Sequence, residues 1–286
     1  MNKITNLENL RGKMFSKNIP FIPDGIEINQ KSLKKQEIAF MQIFEEIIEK
    51  AKEFDVTMRV IGSIAFRLRC PIYKVIEYKN KRYLTDINFV TYKKDIVKVK
   101  ELFYELGWME NQNVLRLFGD KRRIFYHPEE AVHSDIFIDK LRFYHEIDLR
   151  NRLEIDIATI SLTDLLLEKL QIVEINKKDI IDIMVLLNQY PVSLYGEDKW
   201  YINASYLAKI CSRDWGWWKT ATSNLKKVRE LSDEYLEKKQ AEILKQRLIM
   251  LNSSIEKKPK SLKWKLRAKI GEKKRWYREV EEVERD

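Results

Sequence analysis

The sequence predicts an α+β protein, with a mixed sheet flanked by helices over residues 31–190 and an α-helical domain over residues 191–256. Two observations support this class. Short β-prone runs alternate with helical patterns in the first part of the chain, as at Met58–Ile61 and His133–Ile138. After Pro191 only helical spacing follows, and this change of pattern predicts the boundary between the two domains.

The individual elements follow from the spacing of apolar residues. In the first helix, we expect Ile38, Met41, Phe44, Ile48 and Ala51 to form the buried face. The predicted helices are at residues 31–54, 64–69, 95–106, 163–173, 179–187, 201–210, 216–231 and 232–252. The predicted strands are at residues 58–61, 114–118, 123–126, 133–138 and 141–147, with 153–157 as a further candidate. Residues 73–78 and 82–92 flank a turn-like tripeptide, which indicates a hairpin or a loop feeding a strand.

Composition indicates a folded, helix-rich protein. Hydrophobic residues make up 44% of the chain and charged residues 34%, whereas Gly and Pro are scarce. No run reaches the roughly 18 apolar residues of a membrane helix, and the first residues lack the apolar core of a signal peptide. We therefore expect a cytoplasmic protein with no membrane partner. Cys70 and Cys211 are far apart in the sequence, which favours two small buried side chains over a disulfide or a zinc site.

The two ends of the chain have different characters. Residues 1–30 carry Pro20 and Pro23, and we predict a loosely held N-terminal arm. The net charge is +10, and residues 257–278 alone contain eleven Lys or Arg and one acid. The basic C-terminal segment, residues 257–286 with an acidic end, is therefore where we expect a nucleic-acid partner to bind. A solvated run of charges is the alternative.

Three short motifs together suggest a site for a metal ion and a triphosphate. Gly62-Ser63 follows an apolar strand and opens a helix, whose backbone N–H groups can bind phosphate. Asp86 and Asn88 are two residues apart on a predicted strand, so their side chains point to the same face. Asp135 lies between apolar residues on a later strand. Acidic side chains that meet in this way hold the Mg²⁺ ions used in nucleotide transfer.

These motifs resemble those of the nucleotidyltransferase superfamily, in the branch that includes AbiEii-type toxins of toxin–antitoxin systems. That family carries Gly-Gly or Gly-Ser, then Asp-x-Asp, then a single Asp on a later strand. Residues 163–172 and 178–182 are similar to its helical Lys and Lys-Asp segments, and the resemblance covers roughly residues 55–190. The matching positions are Gly62-Ser63, Asp86-Ile87-Asn88 and Asp135.

The resemblance implies a polymerase-β-like fold and the transfer of a nucleotide from an NTP to an acceptor hydroxyl. It implies Mg²⁺ or Mn²⁺ as the cofactor, and a toxin role with a cognate antitoxin as partner. RNA, notably a tRNA end, is the acceptor that the basic segment favours. The implied catalytic and metal-binding residues are Asp86, Asn88 and Asp135, and the implied nucleotide-binding residues are Gly62, Ser63 and Lys169.

The chain departs from the family pattern at Asn88, where the family has its second carboxylate. An amide can bind a metal through its carbonyl oxygen but brings no charge, so a two-metal site would be weaker. The long spacing from Ser63 to Asp86 also implies an inserted hairpin. Two other functions therefore stay open: a weakened relative that binds nucleotide or RNA without transfer, and a purely structural or partner-binding protein.

Several residues have competing interpretations. Asp139 and Asp156 compete with Asp135 as the later acid, and strand order favours Asp135. Lys169 could be a surface lysine instead of a phosphate ligand, and Asp182 a solvated or capping carboxylate.

Other charged and aromatic residues are equally open. Arg67, Arg69 and residues 121–123 could face phosphate or lie exposed. The tryptophans at 215, 217 and 218 could stack on bases, although packing between helices is favoured. The histidines at 127, 133 and 145 lack the spacing of zinc ligands.

Overall fold

The computed structural model describes residues 19–195 and 200–280, and its central feature is a five-stranded mixed sheet. This sheet and the helices around it confirm the predicted α+β class. The five strands are β1 (Met58–Ile61), β2 (Asn88–Thr91), β3 (Met109–Glu110), β4 (Arg122–Tyr126) and β5 (His133–Ile138). Their order across the sheet is β1-β2-β5-β4-β3.

The pairing of the strands brings distant parts of the chain together. β2 and β5 run parallel, with Phe89 opposite Ile136, whereas the other neighbouring pairs are antiparallel. On the other side of β2, Ile61 at the end of β1 lies opposite Asn88. The end of β1, the start of β2 and the middle of β5 are therefore neighbours in the sheet.

Twelve helices surround the sheet in the described parts of the chain. The first part contains α1 (Gln30–Glu53), α2 (Gly62–Arg69), α3 (Val75–Lys79), α4 (Ile96–Glu105), α5 (Gln112–Phe118), α6 (Leu162–Leu170) and α7 (Lys177–Gln189). The second part contains α8 (Ala204–Arg213), α9 (Trp215–Glu230), α10 (Ser232–Tyr235), α11 (Lys238–Lys257) and α12 (Leu262–Ile270). Two small paired units complete the fold: β6 (Lys140–Arg142) with β7 (Glu146–Asp148), and β8 (Val192–Ser193) with β9 (Ile202–Asn203).

Helix α1 has the predicted extent but a rotated buried face. It begins at a reciprocal cap, in which the Asn29 side chain and the Ser32 side chain each accept the other's backbone N–H. Phe40 and Ile47 are fully buried, whereas Ile38, which we expected in the core, is 60% exposed. Phe40 packs edge-to-face on Phe21 and Phe44 stacks on Phe89 of β2. These aromatic side chains orient the helix because they bury a large apolar area.

Residues 114–118 and 153–157 do not form the predicted strands. Residues 114–118 form helix α5, because the Asn111 side chain accepts the N–H groups of Asn113 and Val114 and starts a helical turn. Residues 73–78 run into α3, and residues 82–87 form an irregular segment that leads into β2. The hairpin interpretation is therefore wrong, and the alternative of a loop feeding a strand is confirmed. Residues 153–157 form turns and bends. A short apolar run fits the side-chain repeat of a strand and that of a helix equally well. At residues 114–118 the cap from Asn111 favours the helix.

One apolar core extends from the sheet into the C-terminal helices. Buried side chains from α6 and α7, such as Leu166 and Leu186, belong to the same cluster as Leu207 of α8 and Leu244 of α11. Cys70 and Cys211 are both buried in this core as free thiols, as the sequence predicts. The predicted domain boundary near residue 190 stays a prediction.

The described residues of the predicted N-terminal arm are held against α1. Ile22 is buried with Leu33 and Tyr78, and the Gln36 amide donates to the Pro20 carbonyl oxygen over 2.7 Å. Residues 1–18 of that arm lie outside the described residues, as do residues 281–286 of the acidic end. In the parts of the chain that are described, no helix combines the length and apolar character needed to cross a membrane.

A buried histidine attaches the C-terminal segment to the rest of the protein. His145, between β6 and β7, packs on Trp217, and its Nε2 atom lies 2.9 Å from Thr220 Oγ1. The same hydroxyl accepts the indole N–H of Trp276 over 3.0 Å. Burial lowers the pKa of His145 from 6.5 to about 4, so the folded protein holds this imidazole neutral.

This histidine predicts a loss of stability in acid. Between pH 6.5 and 4 the unfolded imidazole binds a proton that the folded one rejects, so stability falls as the pH falls through this window. At pH 5 we expect wild type to have lost about 2 kcal/mol more free energy of unfolding, relative to pH 7, than His145→Gln. Urea unfolding at both pH values measures this difference. Equal losses in the two proteins would show that His145 is not the group responsible.

Candidate functional site

The three sequence motifs meet around the side chain of Asn88. Its amide nitrogen donates to Asp86 Oδ2 over 3.1 Å, and its amide oxygen accepts the backbone N–H of Asp135 over 3.1 Å. Because Ile61 lies opposite Asn88, the next residue, Gly62, also reaches this point. The expected convergence of these motifs is therefore present, and Asn88 stands at its centre.

Gly62 opens α2 directly from the end of β1 with a backbone that favours glycine. Its φ angle is +66°, in the left-handed region, whereas a Cβ atom there would come no closer than 3.9 Å to Asn88 or Glu168. The conformation, and not a lack of space, therefore explains the glycine. The Gly62 N–H donates to Glu168 Oε2 over 3.2 Å, so a carboxylate occupies the start of the helix.

A second group of side chains, Asp86, His133 and Asp135, lies beside Asn88. One potential ligand atom from each residue falls within 4.8 Å of the others, and His133 Nε2 is 3.8 Å from Asp86 Oδ2. His133 and Asp135 are two residues apart on β5 and share one face of the sheet. The signal in the sequence is the two-residue spacing of His133 and Asp135 on a predicted strand, which the spacing between histidines alone does not reveal.

The donor set of this group fits a divalent cation. Two carboxylates and one imidazole suit Mn²⁺ better than Mg²⁺, because Mg²⁺ prefers an all-oxygen shell. Asp86 is the more open carboxylate, with 19% of its side chain exposed, whereas Asp135 is 4% exposed. Asn88 adds a carboxamide oxygen that is engaged with the backbone of β5.

Arg122 is the partner of Asp135 in this structure, and a cation would have to compete with it. Its guanidinium binds both carboxylate oxygens, with Nη2 2.7 Å from Oδ2 and Nε 3.3 Å from Oδ1. The two hydrogen bonds from Arg122 use part of the accepting capacity of the Asp135 carboxylate, which can accept about four hydrogen bonds. A metal ion would therefore share Asp135 with Arg122 or displace it. Of residues 121–123, Arg122 reaches the site through its pair with Asp135, whereas Arg123 pairs with Glu110.

Glu168 is the functional candidate that sequence reasoning missed. It lies on α6, far from the motifs in the sequence, and no spacing rule links it to Gly62. Burial raises the pKa of its carboxyl to about 7, against the opposing effects of Lys169 and the Gly62 N–H. Near neutral pH this group exists in both protonation states, directly at the position where a phosphate would contact α2.

Lys169, the predicted nucleotide ligand, is committed to a buried ion-pair network. Its ammonium nitrogen lies 3.0 Å from Asp179 Oδ1 and 3.0 Å from Asp182 Oδ2. Burial alone lowers the pKa of Lys169, but Asp182 and Asp179 outweigh burial and raise it. In this structure Lys169 joins α6 to α7, and its contact with a nucleotide stays a prediction.

The network continues through Asp182 into the core, so the interpretation of this residue as a solvated carboxylate is wrong. Both of its oxygens accept from the Arg82 guanidinium at 3.3 Å, and its side chain is fully buried. Nearby, Arg67 Nη1 lies 3.0 Å from Glu77 Oε2, and burial raises the pKa of Glu77 to about 8. These charges tie α2, α3, α6 and α7 together behind the site.

The remaining candidates lie in other contacts. Asp156 pairs with Arg69 at 2.7 Å, and Asp139 accepts the backbone N–H of Lys93 over 3.0 Å. Neither residue belongs to the Asp86, His133 and Asp135 group. Arg123 pairs with Glu110 at 2.5 Å.

Comparison with known proteins identifies no relative. The chain matches no protein-family model, no curated protein sequence and no solved structure. A functional inference for this chain therefore depends on the geometry of the site and on the resemblance of its short motifs.

Proposed function

We propose that the chain is a metal-dependent nucleotidyltransferase, with a polymerase-β-like arrangement of its sheet, that moves a nucleotide from an NTP to an acceptor hydroxyl. The observation that supports this most directly is the meeting of Gly62, Asp86 and Asp135 around Asn88. The three motifs are distant in sequence but lie at the end of β1, at the start of β2 and on β5, which are neighbours in the sheet in that order. Motifs without a shared role would not be expected to meet at one edge of the sheet.

Each residue has a definite part in this proposal. Asp86 and Asp135 would hold Mg²⁺ or Mn²⁺, while Asn88 fixes their relative position through its two hydrogen bonds. The bound metal supplies positive charge that neutralises the phosphates and aligns the attacking oxygen. The Gly62 N–H and the Ser63 hydroxyl would contact the triphosphate at the start of α2. A carboxylate of the pair would accept the proton of the acceptor hydroxyl.

Glu168 must leave the Gly62 N–H before a phosphate can take its place. We therefore expect Glu168→Gln to bind NTP about fivefold more tightly than wild type, because a negative charge worth about 1 kcal/mol at a helix start no longer opposes the phosphate. Calorimetry with a non-hydrolysable NTP measures this. The matched control is Glu174→Gln, an exposed acid just beyond α6. Unchanged or weaker binding by Glu168→Gln would place the phosphate elsewhere.

Incubation with labelled NTPs, Mg²⁺ or Mn²⁺ and total tRNA tests the proposed activity. We expect wild type to incorporate label into RNA or into protein, with more incorporation in Mn²⁺. No incorporation by wild type under either metal, together with incorporation by Asn88→Asp, would contradict transfer by the natural chain.

A second candidate function is nucleotide or RNA binding without transfer. Two observations favour it: an amide stands where the family has a carboxylate, and Arg122 already neutralises Asp135. In that case calorimetry would detect NTP binding, and the incorporation assay would detect nothing. From the resemblance and the composition we also propose an RNA acceptor, a toxin role with a cognate antitoxin, and a cytoplasmic location.

A further inference from the structure

An aromatic cavity lies in the C-terminal part of the protein, between the hairpin of β6 and β7, helices α8, α9 and α12, and residues 275–278. Its volume is about 580 Å³, within the range of sites that hold a nucleotide-sized ligand. The aromatic side chains that line it are Tyr144, Trp215, Trp217, Trp264, Trp276 and Tyr277.

The cavity is a built feature of the fold. The Ser261 N–H donates to the Ser212 carbonyl oxygen over 2.9 Å, which sets the start of α12 against α8. The Arg278 N–H donates to the Tyr144 carbonyl oxygen over 3.0 Å, which fixes the far end of the segment on the hairpin. Between them, a Cβ atom on Gly216 would lie 2.4 Å from the Trp276 carbonyl oxygen, so only glycine permits this approach.

Positive charge surrounds the aromatic walls. The cationic lining residues are Arg213, Lys263, Arg267, Arg275 and Arg278, against two acids, Glu146 and Asp214.

Not all of these cations are equally available. Arg267 donates to the carbonyl oxygens of Gly271 and Lys274, and Arg278 lies 3.5 Å from Glu146. Arg213 and Lys263 are exposed and make no ion pair with any residue in the described ranges. At least two cations on the rim are therefore available for an anionic ligand.

We propose that this cavity binds a nucleobase and its neighbouring phosphates within a single-stranded nucleic acid. Aromatic faces stack on bases of any sequence, and Arg and Lys beside them follow the phosphate backbone. A purely apolar ligand fits the cavity less well, because it would not interact with the cations on the rim. Duplex nucleic acid fits less well because its bases are stacked and paired. This site lies on other elements than the Asp86 and Asp135 group, so it stands whether or not the chain transfers nucleotides.

Fluorescence anisotropy with a labelled single-stranded RNA of about 12 nucleotides tests this site, with single-stranded DNA and duplex RNA of the same length as further arms. We expect Trp264→Ala to weaken single-strand binding about 5- to 100-fold, since it removes one stacking face. Leu266→Ala, on the same helix but 55% exposed and outside the cavity lining, should bind like wild type. The RNA and DNA arms show whether the 2′-hydroxyl contributes.

A second pair of variants separates the cavity from a general basic surface. Lys263→Ala should lower the slope of log affinity against log salt by about 1, whereas Lys265→Ala, exposed on the same helix and outside the lining, should leave it unchanged. If Trp264→Ala does not fold, the comparison of Lys263→Ala with Lys265→Ala tests the cavity on its own. Equal effects of Lys263→Ala and Lys265→Ala, equal affinity for duplex RNA, or no single-strand binding by wild type would each overturn the proposal.

Discussion

Replacing Asp86 with Asn is expected to lower nucleotide transfer about 1,000-fold. Asp86 is the more exposed carboxylate of the proposed metal pair, and Asn88 already contributes no charge. A second amide would leave Asp135, itself paired with Arg122, as the last carboxylate of the motifs. A bound metal stabilises the charge of phosphoryl transfer by several kcal/mol, and about 4 kcal/mol corresponds to a thousandfold in rate.

The effect of Asp86→Asn should appear in metal binding as well as in rate. Titration with Mn²⁺, followed by the loss of its free-ion paramagnetic signal, should show weaker binding by the variant. Asp120→Asn is the matched control, because Asp120 is an exposed acid in the turn before β4. Wild-type transfer and wild-type Mn²⁺ affinity in Asp86→Asn would contradict the assignment of this carboxylate.

Replacing Asp182 with Asn is expected to lower the free energy of unfolding by about 3–5 kcal/mol. Its fully buried side chain accepts from Arg82 and lies 3.0 Å from the Lys169 ammonium. Removing the negative charge takes the carboxylate partner from the buried Arg82 guanidinium and leaves Lys169 with Asp179 alone. The cost of breaking a buried ion pair on one side is large. Burial raises the pKa of Asp182, but Arg82 and Lys169 outweigh burial and lower it, so this stability is present near neutral pH and is lost in acid.

The control for Asp182 is an ion pair on the surface. Asp233 lies 2.6 Å from the Lys245 ammonium, but 70% of its side chain is exposed. Asp233→Asn should therefore change the free energy of unfolding by at most about 1 kcal/mol. Urea denaturation of the three proteins measures both effects. A change below 1 kcal/mol in Asp182→Asn would mean that the core tolerates the loss of this carboxylate charge beside Arg82 and Lys169.

The sequence predicts those parts of the fold that depend on local pattern. The long helices and the strands at Met58–Ile61 and His133–Ile138 have strong periodicity, and the structure confirms them. Residues 114–118 were ambiguous, because five apolar-rich residues fit a strand and a helix equally well. The cap from Asn111, and not periodicity, decides that element. The rotated face of α1 likewise depends on which aromatic side chains the sheet can bury.

The candidate site also contains residues that local sequence predicts and residues that only tertiary packing brings in. The pairing of β2 with β5 places Asn88 beside Asp135. Asp86 lies in the irregular segment that leads into β2 and is joined to the site by the Asn88 amide. The sequence gives no signal for Glu168, and it offers Arg122 only as one of three basic residues that could face phosphate. The contacts of these side chains with Gly62 and Asp135 depend on tertiary packing between separate elements. The helix that carries Lys169 was predicted correctly from local pattern. Its ion-pair partners, Asp179 and Asp182, lie on the following helix, so local pattern could not predict these contacts.

A crystal structure with Mn²⁺ and a non-hydrolysable NTP tests the central claim most directly. We predict an anomalous scattering peak within bonding distance of Asp86 and Asp135, and a triphosphate against Gly62 with Glu168 displaced from its N–H. The contrary result is a complex, formed at saturating metal and nucleotide, in which Arg122 still covers Asp135, Glu168 still holds Gly62, and neither ligand lies at this edge of the sheet.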